Sequence, residues 1–530
     1  MSRNASNRTG SDKPLNSAFV GAVAALSGVL FGFDCSIAAS VGSAVNAHFD
    51  LLKSPFLQGL WVGAVPLGAL IGALLGGFVS NKFGRRAGLL FNALLFIVGI
   101  VVSFLSPVFA VFVFSRLLMG LAIGNSAVIT PMYMAEVAPP ESRGRILFLY
   151  QLSIVIGILV SFLVGVGVDA VVKDNDLSWR VMIASGLVPA ILFFLGMLRM
   201  PRSPRWLVEV GRESEARHIL RRMVGAKKAG DTMREIEEAT ARKTTVNLSA
   251  IFGKTILPVI ALGFFLQFFQ QSTGINADMY FGPEIFRQGG FDESASMWAQ
   301  VAMGTINLIA TVGSIFMVDR LGRRKLMFVG VSGIVVMLLV QAFLFQRYEE
   351  EVASGARVIQ VASQEKKLNP TLPKPGVHAV PAVKVNTTSA SVDSVGSTPN
   401  AVATPTNSSN TTTYLIFGSI LLYIIFFAIS AGPLCWLMIS EVFPIRFRGI
   451  GMSIAVAANW MVDYLVSQLF PTMKDGLGMP VTCLIYAGFT LVGLALAVKF
   501  LPETKGVPLE EIEENIYAGK PLREIGQPKA

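Results

Sequence analysis

Long apolar stretches alternate with short polar connections along most of the chain. The first series of stretches is 17–41, 57–80, 89–107, 108–132, 146–168 and 181–198, and the second is 255–286, 297–318, 326–345, 415–440, 451–470 and 481–500. About 20 apolar residues in a helix cross a bilayer core of about 30 Å. The pattern therefore predicts twelve transmembrane helices in two halves of six.

The composition agrees with a membrane location for these stretches. Of the 530 residues, 53% are hydrophobic and 15% are charged, whereas a soluble domain carries roughly 25% charged residues. The lipid bilayer is therefore an expected partner of the chain. The net charge of +10 is compatible with nucleic-acid binding, but the basic residues are spread over the connections between spans rather than over one soluble surface. We therefore expect no nucleic-acid partner.

The distribution of basic residues also predicts the orientation of the chain. Lysine and arginine accumulate in every second connection, at 82–86, 143–145, 199–254, 320–325 and 446–448. By the positive-inside rule, these connections and both termini are cytoplasmic. The expected domains are a cytoplasmic tail at 1–16, a first half at 17–200, cytoplasmic linker helices at 201–254, a second half at 255–501 and a cytoplasmic tail at 502–530.

One long connection, at 346–413, falls on the extracytoplasmic side by the same alternation. It is rich in Pro, Ser, Thr, Asn and Val without a helical period, which predicts a disordered loop. The loop carries three sequons, and Asn386 is the expected glycosylation site if the cell glycosylates proteins on that face. Chance sequons in a segment rich in these residue types are the alternative.

Side chains typical of metal or enzyme sites are sparse. Cys35, Cys435 and Cys483 all lie in apolar spans, and the three histidines are isolated. This arrangement indicates no disulfide framework, metal site or cofactor. The sequence also contains no recognisable pairing of a nucleophile with a base, so an enzyme is not predicted.

Short charged motifs follow matching spans of the two halves. The motif at 76–86 resembles that at 319–324, and the motif at 136–145 resembles that at 441–449, which indicates an internal repeat. We expect their charges to latch the halves together in one conformation and to separate in the other. The alternative is that they only anchor helix ends and set the topology. The charged residues are Arg85, Arg86, Glu136, Arg143, Arg323, Arg324, Glu441 and Arg448.

Together with PRSPRWL at 201–207 and PETKG at 502–506, these motifs resemble the signatures of sugar porters of the major facilitator superfamily. The resemblance extends over about 20–506, apart from the loop at 346–413. It implies an all-α membrane protein with the major facilitator fold, which carries a monosaccharide of the hexose class, such as glucose, by alternating access. A polyol or inositol transporter and a non-transporting sugar sensor are the alternatives. The sequence departs from the family at Asn81–Lys82, where Asp-Arg is usual, and at Arg202, where Glu is usual.

The seventh span contains the most polar side chains of any span. Gln267, Gln270 and Gln271 share one helical face, and Gly274 and Asn276 follow. Carboxamides suit sugars because they offer donors and an acceptor to neighbouring hydroxyls without a net charge. The family resemblance extends this substrate site to Gln151, Asn307, Trp436, Asn459 and Trp460. Asp278 stands where the family usually has an apolar residue, and we expect it to face the aqueous path.

One acid in the first span and one base in the fourth predict a coupling site. Asp34 and Arg116 lie at similar depth when helices rise about 1.5 Å per residue, so the two side chains can pair. Resemblance to the hexose–proton and xylose–proton branch, in which an acid occupies the position of Asp34, implies proton symport. A facilitative uniporter with a static Asp34–Arg116 ion pair is the alternative. The sequence leaves open which sugar is carried, and whether the membrane is the plasma membrane or an internal one.

Overall fold

The computed structural model describes residues 17–138, 143–241, 253–368, 409–444 and 447–527. The predicted tail at 1–16 and the glycosylation site Asn386 lie outside the described residues. Within those ranges the regular structure is helical. The apolar patterning of the sequence explains this, because a backbone that crosses lipid must satisfy its own hydrogen bonds.

The first half contains seven helices that form six spans. The first five are α1 (Ser17–His48), α2 (Pro55–Phe83), α3 (Arg85–Leu105), α4 (Phe109–Val137) and α5 (Arg143–Val171). The sixth span is divided into α6 (Asn175–Ala184) and α7 (Leu187–Arg199). Three short helices follow, α8 (Pro204–Glu209), α9 (Glu213–Val224) and α10 (Ala226–Ala241). These linker helices bury their own small apolar cluster around Leu207, Leu220 and Met233.

The second half repeats the arrangement with longer and more broken helices. The seventh span is α11 (Leu257–Ser272) and α12 (Ile275–Gln288), and the eighth and ninth are α13 (Glu293–Leu321) and α14 (Arg323–Leu368). The tenth is α15 (Ser409–Ile429) and α16 (Ala431–Val442). The eleventh and twelfth form one run, α17 (Arg448–Phe500), and α18 (Leu509–Tyr517) follows.

The count of spans agrees with the predicted twelve. In the described residues, 10 helical stretches are long and apolar enough to cross a membrane. One of them, Arg448–Phe500, has 53 residues and turns at Gly478, whose φ is +82°, so it supplies two spans. The seventh span is not among the 10 because it is broken between α11 and α12. The predicted all-α membrane fold, with two six-helix halves and a helical linker, is confirmed.

Close approach of small residues holds the helices of the first half together. Gly68 and Gly72 on α2 lie against the backbone of α4, and Gly120 and Gly124 on α4 lie against the backbone of α2. A Cβ atom at any of these four positions would overlap a backbone carbonyl of the facing helix. In lipid, where apolar burial does not drive association, such tight backbone packing is a main source of helix–helix attraction.

The two halves meet along α2 and α17, α5 and α13, and α1 and α12. Gln468 on α17 donates a hydrogen bond of 2.9 Å to the carbonyl of Phe56 on α2. The substrate and coupling residues lie on helices that take part in these contacts or adjoin them.

The predicted disordered loop at 346–413 is wrong at both ends. Helix α14 continues to Leu368, and α15 begins at Ser409. Residues 346–354 carry helix-stabilising pairs four residues apart, including Arg347 with Glu351 at 3.0 Å. The prediction failed because it averaged the composition of these residues with that of the Pro- and Ser-rich segment after them. Thr412 on α15 also contacts the Glu351 carboxylate at 3.1 Å, which joins the two helices beside the connection.

Candidate substrate and coupling sites

The seventh span is broken at the point where its polar side chains lie. Gly274 has φ +85°, a left-handed conformation that side chains other than glycine rarely adopt. A Cβ atom there would come within 2.6 Å of the Tyr486 ring on α17. The carbonyl of Thr273, exposed by the break, accepts a hydrogen bond of 3.0 Å from the Tyr423 hydroxyl on α15. The sequence therefore fixes a bend that separates α11 from α12 beside the candidate substrate site.

Four buried carboxamides converge on one point of the second half. Asn459 on α17 donates from Nδ2 to Gln267 Oε1 at 2.7 Å and to Gln270 Oε1 at 2.6 Å. Its Oδ1 accepts from Gln271 Nε2 at 3.1 Å. Gln270 Nε2 donates to the carbonyls of Ala431 at 3.2 Å and Gly432 at 2.8 Å, at the start of α16. The network fixes the direction of each amide and ties together the three segments that form the site.

Several polar atoms of this network lack a protein partner in the described part of the chain. They are Gln267 Nε2, Gln271 Oε1 and Trp460 Nε1, all buried. Buried polar groups in native proteins are nearly always hydrogen-bonded, so an acceptor and donors are free for a polar guest. Trp460 is 1% exposed, and its ring lies 5.2 Å from that of Phe31 on α1 of the other half. The polar atoms and an aromatic face therefore adjoin the boundary between the halves.

Asn276 belongs to a neighbouring cluster that the sequence analysis did not identify. It lies beside the carboxylate of Asp463 on α17, which accepts hydrogen bonds from the Tyr280 hydroxyl at 3.0 Å and from Ser467 at 3.4 Å. Asp463 is fully buried, and its partners here are neutral. An acid inside the apolar stretch at 451–470 was the available signal, because such residues are costly in a membrane and usually functional.

The other predicted substrate residues are placed on adjacent helices. Gln151 is half-buried on α5, and Asn307 is buried on α13, which packs against α5. Trp436 is half-buried on α16, the helix whose first carbonyls bind Gln270. Among the described residues, no hydrogen bond joins these three to the carboxamide network, so their part in the site stays a prediction.

The acid and base predicted to pair are in contact. Arg116 Nη1 on α4 lies 2.5 Å from Asp34 Oδ1 on α1, and Arg116 Nη2 donates to the Asp34 carbonyl at 3.2 Å. Both side chains are 1% exposed. Asp34 Oδ2 and Arg116 Nε have no protein partner among the described residues. A buried ion pair with unsatisfied atoms is only partly compensated for its loss of water, and its part in proton coupling stays a prediction.

Two clusters with the same design lie at the ends of the halves. In the first half, Glu136 accepts from Arg85 at 2.8 Å and from Ser203 at 2.5 Å. In the second half, Glu441 accepts from Arg323 at 3.1 Å and from Thr504 at 2.6 Å. The same motif pair thus forms the same contact twice, as an internal repeat requires.

The remaining charged residues of the motifs bind helix ends. Arg86 donates to the carbonyl of Met197 at 3.1 Å, Arg324 to that of Val498 at 3.1 Å, and Arg448 to that of Phe443 at 3.3 Å. Each of these contacts lies within one half, so a latch between the halves stays a prediction. The side chain of Arg143 lies outside the described residues. Glu503 is an addition to the predicted set, because its carboxylate accepts from the backbone N–H groups of Arg323 and Arg324 at 3.0 Å each.

Twelve spans in two repeated halves, each with buried polar groups in its interior, are typical of multi-pass membrane transporters. Comparison with known proteins identifies the family. The model for the family "Sugar (and other) transporter" matches residues 20–363 and 385–516. The major myo-inositol transporter IolT of Bacillus subtilis is 31% identical over 500 residues, which cover 94% of this chain and 93% of that protein. The galactose-proton symporter of Escherichia coli is 30% identical over 516 residues and 96% of both chains.

Comparison with solved structures indicates the same family. The xylose transporter XylE of E. coli, in a partially occluded inward-open conformation, matches with a TM-score of 0.71 and 27% identity over 92% of this chain and 99% of that one. The chain therefore belongs to the sugar porter family of the major facilitator superfamily. It is an integral, multi-pass membrane protein that transports sugar, and its family is not an enzyme class.

Proposed function

We propose that the chain is a symporter that carries a monosaccharide of the hexose class together with a proton. The observation that supports this most strongly is the buried Asp34–Arg116 pair at 2.5 Å, which joins α1 to α4 in the first half. A similar protein of E. coli is named a galactose-proton symporter. The sugar site of the proposal is the carboxamide network of the second half.

The network suits a neutral sugar in its chemistry and in its position. A pyranose hydroxyl can donate to the free Gln271 Oε1 and accept from Gln267 Nε2 or Trp460 Nε1. The Trp460 ring offers an apolar face to the C–H side of the sugar. The proposal assigns Gln151 on α5 and Asn307 on α13 to the same site, because α5 of the first half packs against α13 of the second.

Proton coupling follows from the state of Asp34. While Asp34 is ionised, Arg116 holds it and joins α1 to α4. Protonation removes the ion pair, so α1 is released from α4, and the two halves can rearrange around the bound sugar. A proton that crosses about 100 mV supplies about 2.3 kcal/mol, which sustains roughly forty-fold accumulation of a neutral sugar.

The cytoplasmic clusters provide the second element of alternating access. In the proposal, Glu136 and Glu441 form contacts between the halves when the transporter is open to the outside. When it is open to the inside, each instead keeps the contact with the arginine of its own half that is described above. It places both termini in the cytoplasm and the chain in the plasma membrane.

Uptake of radiolabelled sugar by transport-deficient cells that express the chain tests this proposal. The panel contains glucose, galactose, xylose and myo-inositol, the last because a similar protein of B. subtilis is named for it. We expect uptake of a hexose against its gradient, abolished by a protonophore. Uptake of no sugar contradicts the substrate class, and uptake that never exceeds the outside concentration leaves a facilitative uniporter.

A further inference from the structure

A small polar cavity lies within the second half, apart from the carboxamide network. It is about the size of one water molecule and is enclosed by α12, α14, α15 and α17. The polar residues that line it are Thr273, Asp278, Gln341, Tyr423, Thr482 and Tyr486. Neither the proposed sugar site nor the Asp34–Arg116 pair uses any of them.

Two side chains of this cavity lack a partner within the described ranges. Gln341 Nε2 and Tyr486 OH are buried without a hydrogen bond, and the residues are 3% and 8% exposed. Leaving such groups unpaired costs roughly 1 to 3 kcal/mol each. Both line the cavity. Gln341 Nε2 is a donor and needs an acceptor, such as a carboxylate or a water oxygen, whereas the Tyr486 hydroxyl oxygen can also accept from a protonated group or coordinate a cation.

Asp278 supplies a negative charge without a counter-charge. In the described residues it forms no ion pair, and none of the cavity-lining residues is basic. The titratable groups that face it are Tyr423 on α15 and Cys483 and Tyr486 on α17. Phenols and thiols are ordinarily uncharged at neutral pH. A carboxylate in the membrane interior is costly unless it is compensated, so this cavity requires one positive charge.

The geometry points to Asp278 as the binding site of a monovalent cation, a proton or Na⁺, that is coupled to transport in addition to the proton at Asp34. This inference rests on the proposed coupled transport. The cavity adjoins the break of the seventh span, because Tyr486 lies against Gly274 and Tyr423 binds the Thr273 carbonyl. Asp278 lies in the first turn of α12, and Gln270 and Gln271 lie in the last turn of α11. A cation at Asp278 therefore acts on the same bend that orients the sugar-binding amides.

The number of charges moved per sugar provides the test. Purified protein in liposomes is allowed to accumulate sugar to its limit at a series of imposed membrane potentials, with and without Na⁺. We expect two charges per sugar for the unaltered chain and one for Asp278→Asn, which cannot take up a proton and lacks the negative charge that holds Na⁺. Two charges without Na⁺ identify the second cation as a proton, and a need for Na⁺ identifies sodium. The same slope for Asp278→Asn and the unaltered chain overturns the inference. Asp169→Asn, at an exposed position of α5, is the matched control and should retain two charges.

Two further measurements keep the test independent of the proposed function. Infrared difference spectra of the purified chain should contain a carboxyl signal that responds to pH or Na⁺ and is absent from Asp278→Asn. This signal does not depend on whether the chain accumulates sugar. Identical spectra of the two proteins contradict the inference. Tyr486→Phe keeps the ring that packs on Gly274 but removes the free hydroxyl. We expect it to weaken the apparent cation affinity several-fold, and an unchanged affinity removes Tyr486 from the site. Failure of the unaltered chain to accumulate sugar contradicts only the proposed coupling.

Discussion

Replacement of Gln270 by alanine tests the carboxamide network most sharply. The change removes two donated hydrogen bonds, of 3.2 and 2.8 Å, and one accepted bond of 2.6 Å. The carbonyls of Ala431 and Gly432 remain in α16 and keep helical partners, and Asn459 retains its bond to Gln267. The substitution therefore leaves about one buried polar group unsatisfied rather than three, which costs about 1 to 3 kcal/mol of free energy.

Because the network orients the free Gln267 Nε2 and Gln271 Oε1, we expect the affinity for the sugar to fall by up to the same free energy, or roughly five- to 150-fold. Equilibrium binding of the labelled sugar to purified protein measures it, with thermal unfolding as the check that the protein is folded. Gln288→Ala, at an exposed position near the end of the same span, is the matched control and should bind normally. Gln270→Ala with unchanged affinity would refute the assignment of the network to substrate binding.

Three further predictions concern the bend, the charge clusters at Glu136 and Glu441, and the long connection. Gly274→Ala should lower the unfolding temperature and the transport rate, because a residue with a side chain pays about 1 to 2 kcal/mol for the left-handed backbone and the Tyr486 ring must move. The control Gly313→Ala, where a Cβ atom meets open space, should change neither quantity. Equal effects of the two substitutions would contradict the role of the bend. Glu441→Gln weakens the contacts with Arg323 and Thr504, so it should shift the distribution of distances between spin labels on the ends of the halves that carry the charge clusters. An unchanged distribution would remove Glu441 from the latch. Replacement of 369–408 by a short flexible linker should leave uptake intact, and loss of sugar binding in correctly inserted protein would show that the segment is needed.

The sequence predicted the parts of the fold that depend on local pattern. Apolar periodicity and length located the spans, and the repeated charged motifs indicated two equivalent halves. The pattern did not reveal that α14 continues to Leu368, because a compositional average hides helix-forming residues that precede a Pro-rich segment. The pattern did separate the eleventh and twelfth spans, at 451–470 and 481–500, and in the structure a turn at Gly478 lies between them within one helical run.

The sequence predicted which residues belong to the candidate site better than it predicted which of them are in contact. Three-residue and four-residue spacing placed Gln267, Gln270 and Gln271 on one face, and helix depth allowed Asp34 to reach Arg116. The convergence of the glutamines on Asn459 is a tertiary contact between α11 and α17 that spacing does not encode. Asp463 was overlooked, although an acid in an apolar span is a usable signal, because no partner for it could be identified from the sequence alone.

Asp34→Asn tests the central claim, because asparagine keeps the shape of the side chain but cannot exchange a proton. Sugar accumulation by liposomes that contain the purified chain is measured with an inward proton gradient, beside binding of the same sugar. We predict that the unaltered chain accumulates sugar above the outside concentration, that Asp34→Asn binds sugar but reaches a lower limit of accumulation, and that Asp34→Asn combined with Asp278→Asn binds sugar but only equilibrates it. Uphill accumulation by Asp34→Asn that equals that of the unaltered chain would contradict proton coupling at the Asp34–Arg116 pair.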